Sequence, residues 1–200
     1  MTKEGVFICV EGLDGCGKTT QAKLLVSKLK KKGFPAIYTA EPSGGKIGRF
    51  IRKHYLHGER RGSSVVEALL FAADRFEHLE CEVNPCLDKG KIVVSDRYYY
   101  SSFAYQGASG LDLDWIENVN RRAVQPDLAL FIDVEPETVV TRLKRKKSVM
   151  ETFETQKKVR EFYLKFVDNG ELVRVDGNRS KQQVAESLLQ MALGFLTKVS

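Results

Sequence analysis

The sequence predicts a three-layer α/β fold, a five-stranded parallel sheet flanked by helices. Five short apolar runs lack the polar alternation of a strand with one wet face, and helical patterns separate one run from the next. The first run also leads into a glycine-rich turn that opens the first helix, as in alternating β and α units. The runs fall at 6–10, 36–39, 92–95, 128–132 and 172–175, each about the length of a strand. The helical patterns are 18–32, 46–57, 63–88, 113–123, 135–147, 152–169 and 180–196, with Ser180 suited to an N-cap. No repeat, low-complexity tract or Pro/Gly/Ser linker interrupts them, so residues 1–200 read as one domain. Ligands are expected beyond the carboxyl ends of the strands.

Composition narrows the class. An apolar fraction of 42% with 29% charged residues is ordinary for a globular chain, and no apolar run nears the roughly 18 residues of a membrane span. The start, Met1-Thr-Lys-Glu-Gly, leads into an apolar stretch that ends at Glu11, too short for a signal peptide, so a cytoplasmic location without membrane association is expected. Cys9, Cys16, Cys81 and Cys86, with His54, His57 and His78, form no metal-ligand spacing and read as reduced, mostly buried thiols. The net charge of +6 suits a polyanion, either nucleic acid or a phosphorylated small molecule.

Gly12-Leu13-Asp14-Gly15-Cys16-Gly17-Lys18-Thr19 matches G-x-x-x-x-G-K-[ST] between the first predicted strand and the first predicted helix. Such a loop curls its backbone N–H groups around phosphates and adds the positive end of a helix. It defines a P-loop NTPase fold, with Lys18 reaching the β- and γ-phosphates and Thr19 completing a Mg²⁺ site. Gly12 through Thr20 form the expected ATP contact. The chain lacks the N-K-x-D of guanine readers. A small kinase needs a second anion site and a basic flap, and both have candidates. Asp96-Arg97-Tyr98 ends the third run, placing Arg97 to clamp a phosphate and Asp96 at the same sheet edge, beside the metal. The cationic stretch 142–147 begins a short lid, about 142–151.

With these motifs the chain resembles the thymidylate kinases. The likeness runs through 7–21, Thr39-Ala-Glu-Pro42, Leu69-Leu-Phe-Ala-Ala-Asp-Arg75, Ser95-Asp-Arg-Tyr98, Ser101-Ser-Phe-Ala-Tyr-Gln-Gly107 and Pro126-Asp-Leu-Ala-Leu-Phe-Ile-Asp133. The resemblance implies transfer of the ATP γ-phosphoryl group to dTMP, with Mg²⁺, in a homodimer that binds neither nucleic acid nor membrane. It implies that Phe71 stacks on thymine, Arg75 bonds an exocyclic oxygen, and Ser102 and Gln106 contact the nucleotide. By the same likeness Tyr105 crowds the sugar 2′ position, Asp14 meets the 3′-hydroxyl, and Arg97 holds the monophosphate.

Two departures matter. Many relatives have arginine where this chain has Ala40, and Lys46 is the candidate replacement. Relatives often carry Asp-Arg-Phe-Glu in the lid, against Ser148-Val-Met-Glu151 here. One subclass of the family places an arginine in the P-loop; this chain has Gly15 and Cys16 there. The catalytic cation is therefore expected from the lid, with Arg145 at the transferring group and Arg142 near the adenine. Three alternatives share parts of the pattern: a kinase for another monophosphate, a nucleic-acid-stimulated ATPase, and a nucleotide sensor without catalysis. Arg145→Ala is expected to depress turnover on the order of 10³-fold while nucleotide affinity changes less. Unchanged turnover in steady-state assays would remove Arg145 from the mechanism.

Overall fold

The computed structural model describes residues 5–56, 63–142 and 152–199. Five strands, β1 (Val6–Gly12), β2 (Ala36–Ala40), β3 (Ile92–Asp96), β4 (Leu128–Asp133) and β5 (Val173–Asp176), form one sheet in the order β2-β3-β1-β4-β5. All pairs are parallel, as expected from the apolar runs. Phe7, Ile8, Val10, Val93, Val94, Leu130, Phe131 and Ile132 are fully buried because helices cover both faces.

The helices are α1 (Lys18–Lys31), α2 (Lys46–Ile51), α3 (Ser64–His78), α4 (Asn84–Leu87), α5 (Tyr99–Ala108), α6 (Leu113–Asn120), α7 (Pro136–Arg142), α8 (Phe153–Asp168) and α9 (Lys181–Val199). The chain crosses from β1 toward one edge of the sheet and from β3 toward the other. The loops after these adjacent strands part at their carboxyl ends and open a crevice. Register places Val10 beside Asp96 and Ala40 beside Asp96, so the P-loop, the β3 exit and the β2 exit share one rim.

Two expectations on the helices are corrected. The patterns over 46–57 and 63–88 each contain a π-helical turn, Arg52–Leu56 after α2 and Leu79–Val83 between α3 and α4. Residue 57 and the end of the 135–147 pattern lie outside the described residues. Helix α5 was not expected at all. Its Tyr99-Tyr-Ser-Ser102 start has modest helix propensity, and burial of Tyr100, Ala104 and Tyr105 fixes it instead. Ser180 does cap α9. Its hydroxyl accepts the Gln183 N–H at 3.3 Å while Gln183 Oε1 accepts the Ser180 N–H at 3.1 Å, a reciprocal capping box. All four cysteines are free thiols, but only Cys9 and Cys16 are buried; Cys86 is half-buried and Cys81 exposed. Cys81 lies on the outer side of a helical turn, which the thiol count could not show.

The far end of the sheet is closed by charge. Asp133, 2% exposed, accepts from Arg160 on α8 at 2.7 and 3.0 Å and from Arg174 on β5 at 2.8 Å. Burial alone would raise its pKa, yet the two guanidinium groups hold the carboxyl below its ordinary value. The stability it contributes is therefore complete above about pH 4 and is lost as pH falls through the lowered value. Asp133→Asn is expected to lower the melting temperature by about 5–10 °C at pH 7. Melts between pH 7 and 3 should show the gap between variant and parent closing in acid; a gap constant with pH would refute this account.

Candidate active site

The P-loop is shaped by backbone that only glycine adopts freely. Gly12 has φ +149, and a Cβ there would lie 2.7 Å from the Ile132 carbonyl oxygen and 2.8 Å from Cys16 Sγ. Gly17, at φ 99, turns the chain into α1 without a side-chain cap, which leaves the first-turn N–H groups for an anion. Lys18 Nζ, nearly buried, donates to the Leu13 carbonyl at 2.7 Å across its own loop.

Thr19 Oγ1 donates to Asp96 Oδ2 at 2.5 Å, and Tyr38 Oη reaches the same oxygen at 3.4 Å. Burial, then the Asp96 charge, pushes the Tyr38 pKa up to about 12, while Arg52 opposes the rise. Asp96 Oδ1 is buried with no hydrogen-bond partner among the described residues. An unpaired carboxylate oxygen beside a threonine hydroxyl is a hard oxygen donor set that suits Mg²⁺. Among the described residues no three His, Cys, Asp or Glu side chains gather to hold a metal by themselves. Mg²⁺ shared with phosphates needs only one or two protein ligands, so the residues fit it.

Arg97 follows Asp96 with φ 74, uncommon for a residue with a side chain. Its N–H donates to Val10 O at 3.0 Å and its carbonyl accepts from Ser95 Oγ at 2.7 Å, which hold that turn. The guanidinium donates to Ser101 Oγ at 3.0 Å, pairs with Asp14 and lies over the Tyr105 ring, 5.0 Å from its centroid. Tyr105 Oη in turn accepts the Asp14 N–H at 3.1 Å, so the ring ties α5 to the P-loop.

Next to Arg97 opens a pocket between α3, α5 and the β2 exit. Asp14, Phe71, Arg75, Arg97, Ser102, Tyr105 and Gln106, all expected from sequence, line it together with Glu41, Pro42, Leu56 and Glu67. Glu67, Phe71 and Arg75 lie at intervals of four on α3 and so share one face. Arg75 is 1% exposed and largely engaged. Nε and Nη2 donate to Glu41 Oε2 at 3.0 and 2.7 Å, and Nη1 donates to Asn120 Oδ1 at 2.5 Å and Ser102 Oγ at 3.3 Å. Gln106 Oε1 is buried and, among the described residues, unpartnered.

A second cavity on the outer side of the P-loop is lined by Gly15, Cys16, Gly17, Thr20, Gln21, Arg142, Arg179 and Lys181. Arg142, expected from sequence near the adenine, lines this cavity beside the loop. Arg145 and Glu151 lie outside the described residues.

A family model described as thymidylate kinase matches residues 10–188. The chain is 46% identical over 182 residues to the probable thymidylate kinase of Thermococcus gammatolerans, covering 86% of this chain and 87% of that one. The chain belongs to the thymidylate kinase family. It is 41% identical over 195 residues to the probable thymidylate kinase of Pyrococcus abyssi, covering 94% of this chain and 95% of that one. It is also 41% identical over 201 residues to the thymidylate kinase of Caldanaerobacter subterraneus subsp. tengcongensis, covering 96% of this chain and 97% of that one.

For a kinase of this family the sequence reading missed several residues. Lys46, the suggested replacement for the arginine absent at Ala40, is exposed and does not line the pocket. Arg52 instead reaches inward from the π turn, donating to Ser43 O at 2.5 Å, with its charge felt at Tyr38. A basic residue six positions beyond Lys46 gave no local signal, because only the turn geometry aims it. Glu41 stands in sequence only within Thr39-Ala-Glu-Pro42, and its bond to Pro42 is cis. Its role as the partner of Arg75 depends on a contact between residues 34 apart.

Proposed function

We propose that the chain transfers the γ-phosphoryl group of ATP to dTMP, giving dTDP and ADP. The observation that carries the choice of a base with an exocyclic oxygen beside a ring N–H, over cytosine, is the polarity of the pocket wall. Arg75, with Nε, Nη1 and one Nη2 hydrogen committed, keeps one Nη2 hydrogen, and Gln106 Oε1 is a buried acceptor in need of a donor. Thymine offers an exocyclic oxygen beside a ring N–H, which supplies both complements. Cytosine would set an amino group against the guanidinium and an acceptor against Gln106 Oε1. Phe71 supports stacking on the base, and the Tyr105 ring beneath Arg97 supports exclusion of a 2′-hydroxyl.

The acceptor phosphate is already ionised, so no strong general base is needed. The barrier lies in bringing two polyanions together in line. Arg97 holds the acceptor phosphate at the pocket's P-loop end, with Arg52 as a further cation behind the β2 exit. Lys18 exchanges the Leu13 carbonyl for the β- and γ-phosphates, and Arg142, with Arg179, faces the adenine side. Thr19 and Asp96 would hold Mg²⁺, which when bound offsets charge on the phosphates. Arg145 remains the proposed cation for the transferring group.

Among the described residues no helix is long and apolar enough to cross a membrane, and the free thiols suit a cytoplasmic setting. Val65, Val66 and Leu69, each more than 40% exposed, form an apolar strip on α3 that suits a second copy of the chain. Sedimentation at micromolar concentration is expected to give a dimer, and a monomer there would remove this part of the proposal.

The function is tested by following ADP release with ATP, Mg²⁺ and a panel of nucleoside monophosphates, and separately with DNA. Stimulation by dTMP above dUMP, UMP and dCMP is expected, and Gln106→Leu should lower kcat/KM for dTMP by about 10-fold or more. Preference for another monophosphate would change the acceptor; stimulation by DNA alone would overturn the reading.

A further inference from the structure

Behind Arg75 the base pocket is backed by a second layer of buried polar groups that the proposed chemistry does not use. His78, on α3 one turn beyond Arg75, is 2% exposed. Its Nδ1 lies 3.3 Å from Glu41 Oε1, and its Nε2 lies 2.6 Å from Thr39 Oγ1. Glu82 approaches Nε2 at 3.6 Å from the partly exposed side. Glu41 is therefore divided between two partners: one oxygen takes both Arg75 bonds, and the other faces the imidazole.

The chemistry of these groups selects one arrangement of protons. A carboxylate that receives an arginine fork is ionised and can only accept, so Nδ1 must carry the hydrogen toward it. In the neutral ring Nε2 is then an acceptor, and the Thr39 hydroxyl donates to it. A second proton on the ring would leave the Nδ1–H bond in place and turn Nε2 toward Thr39 or Glu82. The bond to Glu41 thus survives either charge state. Without it, Glu41 has a free oxygen and can rotate about its last torsion, which is soft. The Arg75 guanidinium bound to the other oxygen would turn with it.

We propose that His78 is a positioning residue for base recognition, fixing the Arg75 guanidinium plane through Glu41. This rests on the reading of the pocket as the nucleobase site. It assigns to a buried histidine, which could otherwise serve packing alone, a role specific to one nitrogen atom.

Two substitutions separate those roles. Asparagine places its amide nitrogen where Nδ1 stands and keeps a donor to Glu41. Glutamine places its amide near Nε2 and keeps a partner for Thr39 while abandoning Glu41. His78→Gln is expected to raise the KM for dTMP at least tenfold, with kcat and the KM for ATP within about twofold of the parent. His78→Asn should stay within about threefold for all three constants. Exchange of the Arg75 Nε–H, followed by NMR without nucleotide, should be slow in the parent and in His78→Asn and fast in His78→Gln. Equal effects of the two substitutions on KM and on exchange, or a KM for ATP that moves with that for dTMP, would overturn the proposal. A parent enzyme inactive on dTMP would overturn the pocket reading instead, and the exchange rates would still decide the relay.

Discussion

Hydrogen bonds from the Tyr98 N–H, the Ser101 N–H, the Ser101 hydroxyl and the Tyr163 hydroxyl converge on the Glu11 carboxylate at 2.7, 3.3, 2.6 and 2.9 Å. Glu11 is the residue just before the P-loop glycine, and it is fully buried. Burial pushes its pKa up, and the donors together with the Arg97 charge work against that rise. Loss of the carboxylate would strand several donors at once, each costing about 1–3 kcal/mol. The geometry it imposes is the larger consequence. It fixes the first turn of α5, and because the Ser101 proton is committed to Glu11, a lone pair on that hydroxyl is left for Arg97. It also holds Tyr163, stacked on Phe131 at 4.8 Å, and so seats α8 against the sheet.

The Arg75 end of the pocket repeats this construction with other residues. Glu41 holds Arg75 as Glu11, through Ser101, holds Arg97. In both places an arginine is oriented by an acid with no exposure to speak of. Burying the Arg75–Glu41 pair carries a desolvation cost. Asn120, Ser102 and the Tyr98 ring, 5.3 Å from the guanidinium carbon, offset it by occupying the remaining donors and the face of the cation. Tyr98 also donates its hydroxyl to Val124 O at 2.8 Å, so it links the two networks to the connection between α6 and β4.

What could be read from sequence follows from how local each feature is. The P-loop is a contiguous string whose glycines and lysine carry their own geometry, and the strands announce themselves as buried runs. Phe71, Arg75, Ser102, Tyr105 and Gln106 could be assembled in advance only through family likeness, and the pocket does bring them together. Helix α5 escaped notice because its aromatic and serine start has little intrinsic preference; Glu11, about 90 residues away in sequence, receives its first turn. Arg52 and His78 were invisible for the same reason. Each is placed by a partner on another element, and a residue type by itself names no partner.

These supporting layers matter more here than in an enzyme with a strong base or covalent nucleophile. When the acceptor is already ionised, rate depends on where charges stand at the moment of transfer, and a misplacement of about 1 Å can cost on the order of 10²-fold. Asp14 shows how tightly the two halves are bound. Its carboxylate pairs with Arg97 at the pocket, while its N–H, in the P-loop, donates to the Tyr105 hydroxyl on α5. A shift of the P-loop would therefore be passed to the Arg97 guanidinium and the Tyr105 ring. The same bonds act in reverse, from Arg97 and Tyr105 to the loop. Asp14 thus joins the P-loop to the neighbouring pocket through its side chain and its backbone together.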